Sequence, residues 1–366
     1  MKQEENKNRQ NGKDIAKAIG IYLVVTGHLL SAQAQAGHAL IYLVHMPLFF
    51  WISGYFLYGS VKKHSIAENV RNKVDTLLIP FLVWSGVALL ANLAVSFLNG
   101  SLDLQVICSG LYEVYIQARS MWFLLILFLA QMLVLLLHRL TSKCSIKLEI
   151  GMMLITWLIL IGLLPDQLFS LDKFKWMFPY LILGYGMHAM EVFREKQKTL
   201  SSDKSILTGL LQKKNAGRKY AGIIGVVCST VYILVTLKLY EYPYMQAFLA
   251  KKSSGINDFL PYSLIFLLSL LGLLGLMKLS EGLSESRIGS ILAGVGRYSM
   301  DIYVIHMFFI KFVTYVPAYA QKSAIAYNCG FVPFYALGVV GVVYLMVAFL
   351  LRRIGLYCKM MGTNRK

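Results

Sequence analysis

The chain has 366 residues, of which 57% are hydrophobic and only 15% charged, with a mean hydropathy of +0.60. Soluble domains carry about 25% charged residues, so an ordinary soluble globular protein is excluded and a polytopic membrane protein is indicated. The formal net charge of +18 would suit nucleic acid, but membrane proteins gather Lys and Arg in cytoplasmic loops; the charge reads as orientation, and no nucleic-acid partner is expected.

Met1 to Gly12 is polar, and it is too long and too mixed for the basic region of a signal peptide, so the first apolar segment is expected to be a retained helix. Hydropathy places ten spans at about 14–32, 40–59, 76–98, 120–138, 148–164, 176–190, 221–240, 259–279, 298–316 and 331–351. The predicted fold is an all-α polytopic transmembrane helical bundle of about ten membrane-spanning helices. An even number of spans puts both termini on one side. Most of the 36 Lys and Arg fall in the N-terminal segment, in the loops near 60–75, 139–147, 191–220 and 278–297, and in the tail from Arg352. The opposite loops hold Arg119, Lys173, Lys175, Lys238, Lys251, Lys252 and Lys322. This asymmetry predicts cytoplasmic termini. The chain then divides into a cytoplasmic tail over 1–13, a transmembrane domain over 14–351 with a cytoplasmic loop at 191–220, and a cytoplasmic tail over 352–366. Within that loop, Ser201 to Lys214 reads either as a surface-lying amphipathic helix or as a solvated linker. The outer loops near 99–119 and 241–258 are long enough to shape a mouth.

Polar groups inside the spans carry the chemistry. Asp14-Ile-Ala-Lys17 opens the first span, and His28 lies fourteen residues beyond Asp14, roughly 21 Å along a helix. With the helix starting inside, His28 sits nearer the outer face. Ionisable groups in a bilayer are expensive to keep and tend to be functional. A neutral imidazole can take a proton from a hydroxyl near pH 7 or attack an acyl group itself. The plainer alternative is a buried histidine bonded to a carbonyl. His45-Met-Pro47 opens the second span from outside, where Pro47 suits a first helical turn. His45 is expected there as an interfacial side chain facing water, with substrate support as the other role. Ser53-Gly54 reads as a close helix contact.

Arg71 and Lys73 enter the third span from the cytoplasm. They either anchor that helix or hold phosphates of a cytoplasmic donor by charge-assisted hydrogen bonds. Arg119-Ser-Met-Trp122 starts the fourth span at the outer side, Trp122 as an interfacial belt residue and Arg119 as a candidate acceptor contact. The ninth span begins Arg297-Tyr-Ser-Met-Asp301-Ile-Tyr303-Val-Ile-His306, which puts His306 roughly mid-membrane and makes it a second catalytic candidate. The five cysteines are far apart with no CxxC, so neither a metal site nor a disulfide framework is expected. No phosphate-binding loop, zinc-protease motif or nucleophile elbow is present.

Asp14 to Lys17 with His28, His45 to Tyr55, Lys73 to Pro80, Met121-Trp122-Phe-Leu and Arg297 to His306, taken in order, resemble the acyltransferase-3 family of integral membrane O-acyltransferases, in particular its fucose 4-O-acetylase-like branch. The resemblance implies about ten core helices and transfer of acetyl from cytoplasmic acetyl-CoA to a hydroxyl of a cell-envelope sugar. The family's catalytic histidine falls on His28, and its first-helix arginine on Lys17, which keeps the charge and loses the guanidinium fork. Its cytoplasmic arginine pair falls on Lys73 and Thr76, so the second arginine is absent and Arg71 is the available substitute. The expected protein is a multi-pass O-acetyltransferase of the bacterial inner membrane. Lys17, Arg71 and Lys73 would serve the donor, and His28 and His306 the chemistry. Asp14, His45, Arg119, Trp122 and Tyr303 would contact substrate or support the site. The expected partners are membrane lipid, acetyl-CoA and an envelope glycan or lipid-linked sugar, without a metal. A transporter or flippase for a lipid-linked sugar is the rival reading, weakened by the lack of a visible internal repeat.

Overall fold

The computed structural model describes residues 2–142, 144–164, 169–200, 206–242, 259–313 and 325–363. The expected outer loop beyond Tyr242, the first residues of the Ser201 to Lys214 segment, residues 314–316 of the ninth expected span and residues 364–366 of the expected tail lie outside them. The described residues form helices and turns with no strand. In chain order the helices are α1 (Lys2–Leu29), α2 (Gln35–Tyr42), α3 (His45–Val61), α4 (Ile66–Lys73), α5 (Ile79–Leu98), α6 (Leu104–Leu111), α7 (Trp122–Thr141), α8 (Ile146–Leu163), α9 (Leu171–Leu200), α10 (Ile206–Tyr240), α11 (Phe259–Leu283), α12 (Arg287–Gly296), α13 (Ser299–Val313), α14 (Val332–Phe349) and α15 (Gly355–Met360). Wider π-helical turns occupy Val74–Leu78, Tyr112–Ile116 and Ala326–Phe331.

Seven stretches among the described residues are long and apolar enough to cross a membrane: Gln35–Val61, Ile66–Leu98, Trp122–Thr141, Ile146–Leu163, Tyr220–Tyr240, Ser263–Leu283 and Ala326–Arg353. The first, sixth and ninth expected spans are helical in α1, α9 and α13 but are not among the seven. In α1 the polar residues Asp14, Lys17 and His28 dilute the apolar run; in α13 the described stretch Ser299–Ile310 is apolar but shorter than a full crossing.

Several segments differ from the sequence expectation. The second span is broken at Leu43–Val44, between α2 and α3. The segment at 99–119, expected as an outer loop, holds α6, started by Asp103, whose carboxylate accepts from the Val106 N–H at 2.7 Å. The expected loop at 191–220 is helical on both sides of residues 201–205, because its Lys, Glu and Gln are good helix formers and hydropathy marks where apolar residues stop, not where a helix stops. The π turn at Val74–Leu78 sits just before Pro80, which has no N–H to donate one turn back, so the wider turn absorbs the missing bond.

The chain forms two compact units. One comprises Met1–Phe49 with Thr199–Ala348, and the other Phe50–Lys198 with Phe349–Lys366. In the first, α14 shows how a helix sorts its faces when both are apolar. Val332, Ala336, Val339, Val343 and Val347 recur at helical spacing and are buried, whereas Phe334, Leu337 and Leu345 face outward, Phe334 with 75% of its surface exposed. Small residues lie inside and large ones outside, as expected where lipid rather than water is the solvent.

The second unit holds the close contact predicted at Ser53-Gly54. A Cβ on Gly54 would overlap the Leu181 carbonyl, and a Cβ on Gly184 would overlap the Trp51 carbonyl, so α3 and α9 cross backbone to backbone. Nearby, α7, α8 and α9 share a buried polar node. The His138 Nδ1–H donates to Glu149 Oε1 at 2.7 Å, and the Tyr185 hydroxyl donates to the same oxygen at 2.6 Å. All three side chains are buried, so a Glu149→Ala substitution strands two donors away from water. We expect it to lower stability by about 3 kcal/mol, and Tyr185→Phe by about 1 kcal/mol, in denaturation of the detergent-purified protein. Gly184→Val, which forces the two helices apart, is expected to abolish recovery of monodisperse protein on size exclusion.

Candidate active site

Where α1 stops, its last carbonyls lose their intrahelical partners. Leu29 is its last residue, and His28 lies in the last turn. Side chains from the π turn Ala326–Phe331 take up the loose ends. The Tyr327 hydroxyl donates to the Leu29 carbonyl at 3.1 Å. The Asn328 amide oxygen accepts from the Ser31 N–H at 3.0 Å, and its amide nitrogen donates to the Ser31 hydroxyl at 3.0 Å. His28 is thus placed at a helix end held from outside the helix.

The His28 ring is exposed. Beside it lies the ring of His306, centroid to centroid 5.4 Å and tilted by 41°. His306 is buried, with 1% of its surface exposed. Its Nδ1–H donates to the Tyr303 carbonyl at 2.6 Å, one turn back on α13. A carbonyl can only accept, so this bond fixes the proton on Nδ1 and leaves a lone pair on Nε2. That Nε2 is buried and has no hydrogen-bond partner among the described residues. The Tyr303 ring is 5.9 Å from the His306 ring, as their i, i+3 spacing requires. Two imidazoles therefore stand side by side, one open to its surroundings and one sequestered with a bare basic nitrogen.

His45 differs from its expected surroundings. It is buried, 3% exposed, rather than facing water. Its Nδ1–H donates to the Ile41 carbonyl at 2.6 Å across the break between α2 and α3. The same break is served by Tyr232, whose hydroxyl donates to the Leu40 carbonyl at 2.6 Å, and by Ser269, which donates to the Leu43 carbonyl at 2.5 Å. His45 thus closes a helix interruption that hydropathy does not show. Its ring also meets Tyr42 edge-on at 4.9 Å.

Asp14 and Lys17 lie near the middle of α1, about 21 Å and about 17 Å from His28 by helical rise. Lys17 Nζ donates to Asp14 Oδ1 at 2.8 Å. The pair and His28 are therefore separate features of one helix.

Arg71, Lys73, Arg119 and Trp122 belong to the other unit. α4 is started by Ser65 and Glu68 in a reciprocal cap: the Glu68 N–H donates to the Ser65 hydroxyl at 3.2 Å, and the Ser65 N–H donates to the Glu68 carboxylate at 2.7 Å. Its last turn carries Arg71, exposed, and Lys73, half-buried, and runs straight into the π turn at Val74. Arg119 Nη1 donates to Glu113 Oε1 at 3.1 Å, with both side chains largely exposed. Such an exposed pair contributes little in water. The Lys173 ammonium sits 5.1 Å over the Trp122 ring, a cation–π contact.

Tyr327 and Asn328 went unnoticed in the sequence. They stand just ahead of the last apolar span with no motif around them, and only the folded chain brings them to the end of α1.

A family model described as an acyltransferase domain matches residues 11–351. Nodulation protein NolL of Sinorhizobium fredii is 29% identical over 214 residues, 55% of this chain and 54% of that protein. Nodulation protein NolL of Mesorhizobium japonicum is 38% identical over 86 residues, 21% of this chain and 23% of that protein. The chain thus spans about half the length of the first relative and under a quarter of the second. No solved structure matches it. The all-helical, multi-pass architecture and a family match over nearly the whole length lead to one conclusion: the chain belongs to the acyltransferase-3 family.

Proposed function

We propose that the protein is an O-acetyltransferase of the bacterial inner membrane, moving acetyl from cytoplasmic acetyl-CoA to a hydroxyl of a cell-envelope glycan or lipid-linked sugar. The observation that carries the chemistry is the His28–His306 pair, with an exposed imidazole beside a buried one whose Nε2 has no partner among the described residues. The family match supports the reaction class. The fucose 4-O-acetylase-like motifs support a sugar hydroxyl as acceptor. The domain is one transmembrane acyltransferase unit of function over 14–351, with cytoplasmic tails at 1–13 and 352–366.

Arg71 and Lys73 hold the donor's phosphates, as charge-assisted donors do. Lys17, paired with Asp14, is a further cation for the donor on the cytoplasmic side of its own helix. His28 then acts in one of two ways. As a general base it removes the acceptor hydroxyl proton while the oxygen attacks the thioester carbonyl; the C–S bond breaks, and the departing thiolate takes that proton back. As a carrier, its ring nitrogen attacks the thioester and releases CoA thiol. The acceptor oxygen then attacks the acyl-imidazole, the acyl C–N bond breaks, and His306 Nε2 takes the hydroxyl proton and hands it to the departing His28 nitrogen, so both imidazoles end neutral. Either route leaves the donor as free CoA and the acceptor as an acetyl ester. Only the second gives His306 a direct share in the chemistry.

His28→Ala is expected to cut transfer of labelled acetyl from acetyl-CoA to envelope glycan about 1,000-fold without changing the melting temperature. Unchanged transfer in that variant would sink the mechanism. His306→Phe, which keeps a ring and removes the lone pair, is expected to lower turnover about 100-fold if His28 carries the acyl group and only a few-fold if it is a base. Arg71→Ala with Lys73→Ala is expected to raise the KM for acetyl-CoA about tenfold, the loss of roughly 1.4 kcal/mol of phosphate binding.

A further inference from the structure

The family match ends at residue 351, yet the residues that follow are folded onto the second unit. After a tight 3-10 turn at Leu351–Arg353, α15 buries Tyr357 and Cys358, and Met361 follows them inward. The Tyr357 ring meets Trp84 of α5 at 6.2 Å, near edge-on. The segment closes on itself: Arg352 Nη1 donates to Thr363 Oγ1 at 2.6 Å, and the Thr363 N–H donates to the Cys358 carbonyl at 2.8 Å. Next to Thr363, Gly362 adopts φ +60, and a Cβ there would overlap the Asp75 carbonyl. Only glycine combines that backbone conformation with so close an approach.

Asp75 lies in the π turn Val74–Leu78, directly after Lys73. A π turn is a rare and poorly closed form of helix, often found at functional sites, and neighbours must hold it in place. The helix before it carries Arg71 and Lys73. How the chain leaves α4 sets where these two side chains point.

We propose that residues 352–363 form a strap that pins the π turn through Gly362 and so positions Arg71 and Lys73 for the phosphates of the acyl donor. This rests on the donor role given to Arg71 and Lys73 above. The strap touches no reacting atom; its residues act through the turn beneath them. Its loss weakens phosphate recognition rather than acyl transfer as such.

The test is equilibrium binding of radiolabelled acetyl-CoA, and of acetyl-dephospho-CoA lacking the 3′-phosphate, to the full-length protein in detergent. Gly362→Ala is expected to weaken acetyl-CoA binding tenfold or more and to shrink the preference over the dephospho form. Thr363→Val, which removes the bond from Arg352, is expected to weaken it about threefold, while Thr363→Ser keeps the hydroxyl and stays within twofold of the unaltered protein. Should Gly362→Ala fail to fold, the Thr363 pair gives the answer alone. Acetyl-CoA binding unchanged in Gly362→Ala and Thr363→Val overturns the strap, and so does an equal loss for both ligands, the mark of general destabilisation. The Arg71→Ala, Lys73→Ala double variant separates the two claims. If it binds acetyl-CoA normally, the donor reading fails and takes the strap's role with it. If it loses affinity while the strap variants do not, only the strap fails.

Discussion

In hydrocarbon, a backbone N–H or C=O without a protein partner has no water to turn to. An interruption of a membrane helix therefore has to be repaired by side chains, and the candidate site of this protein is built from such repairs. The end of α1 is held by Tyr327 and Asn328. The break between α2 and α3 is held by Tyr232, Ser269 and His45. Each repair requires a polar group at depth and fixes the approach of one helix to another. The place where α1 can stop is the place where His28 can be presented.

The same constraint explains the contrast between the two neighbouring histidines. His306 spends its Nδ1 proton on a backbone carbonyl of its own helix and so is locked in one tautomer. His28, at a helix end already capped by other residues, is left out of that backbone accounting. A residue free of structural duty is available for chemistry, and a locked neighbour with a bare nitrogen can receive a proton.

What was legible in the sequence follows from what lipid leaves visible. Apolar length located the helices, and the rarity of ionisable groups in apolar runs singled out His28 and His306, which fold to neighbouring positions. Gly54 announced a helix contact through its small size. Much else was hidden. On α14 both faces are apolar, so the buried stripe shows only as a difference in side-chain size. The break before His45 leaves no trace in hydropathy, because both halves are equally apolar. The helical flanks of the 191–220 segment are too polar to register as spans. Tyr327 and Asn328 act across nearly 300 positions of sequence, a distance at which no local pattern speaks.

The buried node of His138, Glu149 and Tyr185 also bears on how the chain is made. His138 precedes Glu149 by 11 residues, but Tyr185 follows it by 36. At a synthesis rate of about 5–20 residues per second, the carboxylate of α8 meets its histidine at once and waits several seconds for its tyrosine. During that interval α8 carries an incompletely paired acid at its start. A carboxylate that still lacks one of its two donors is costly to place in lipid. Arrival of α9 completes the node, so the full pairing of one carboxylate has to wait until all three helices have been made.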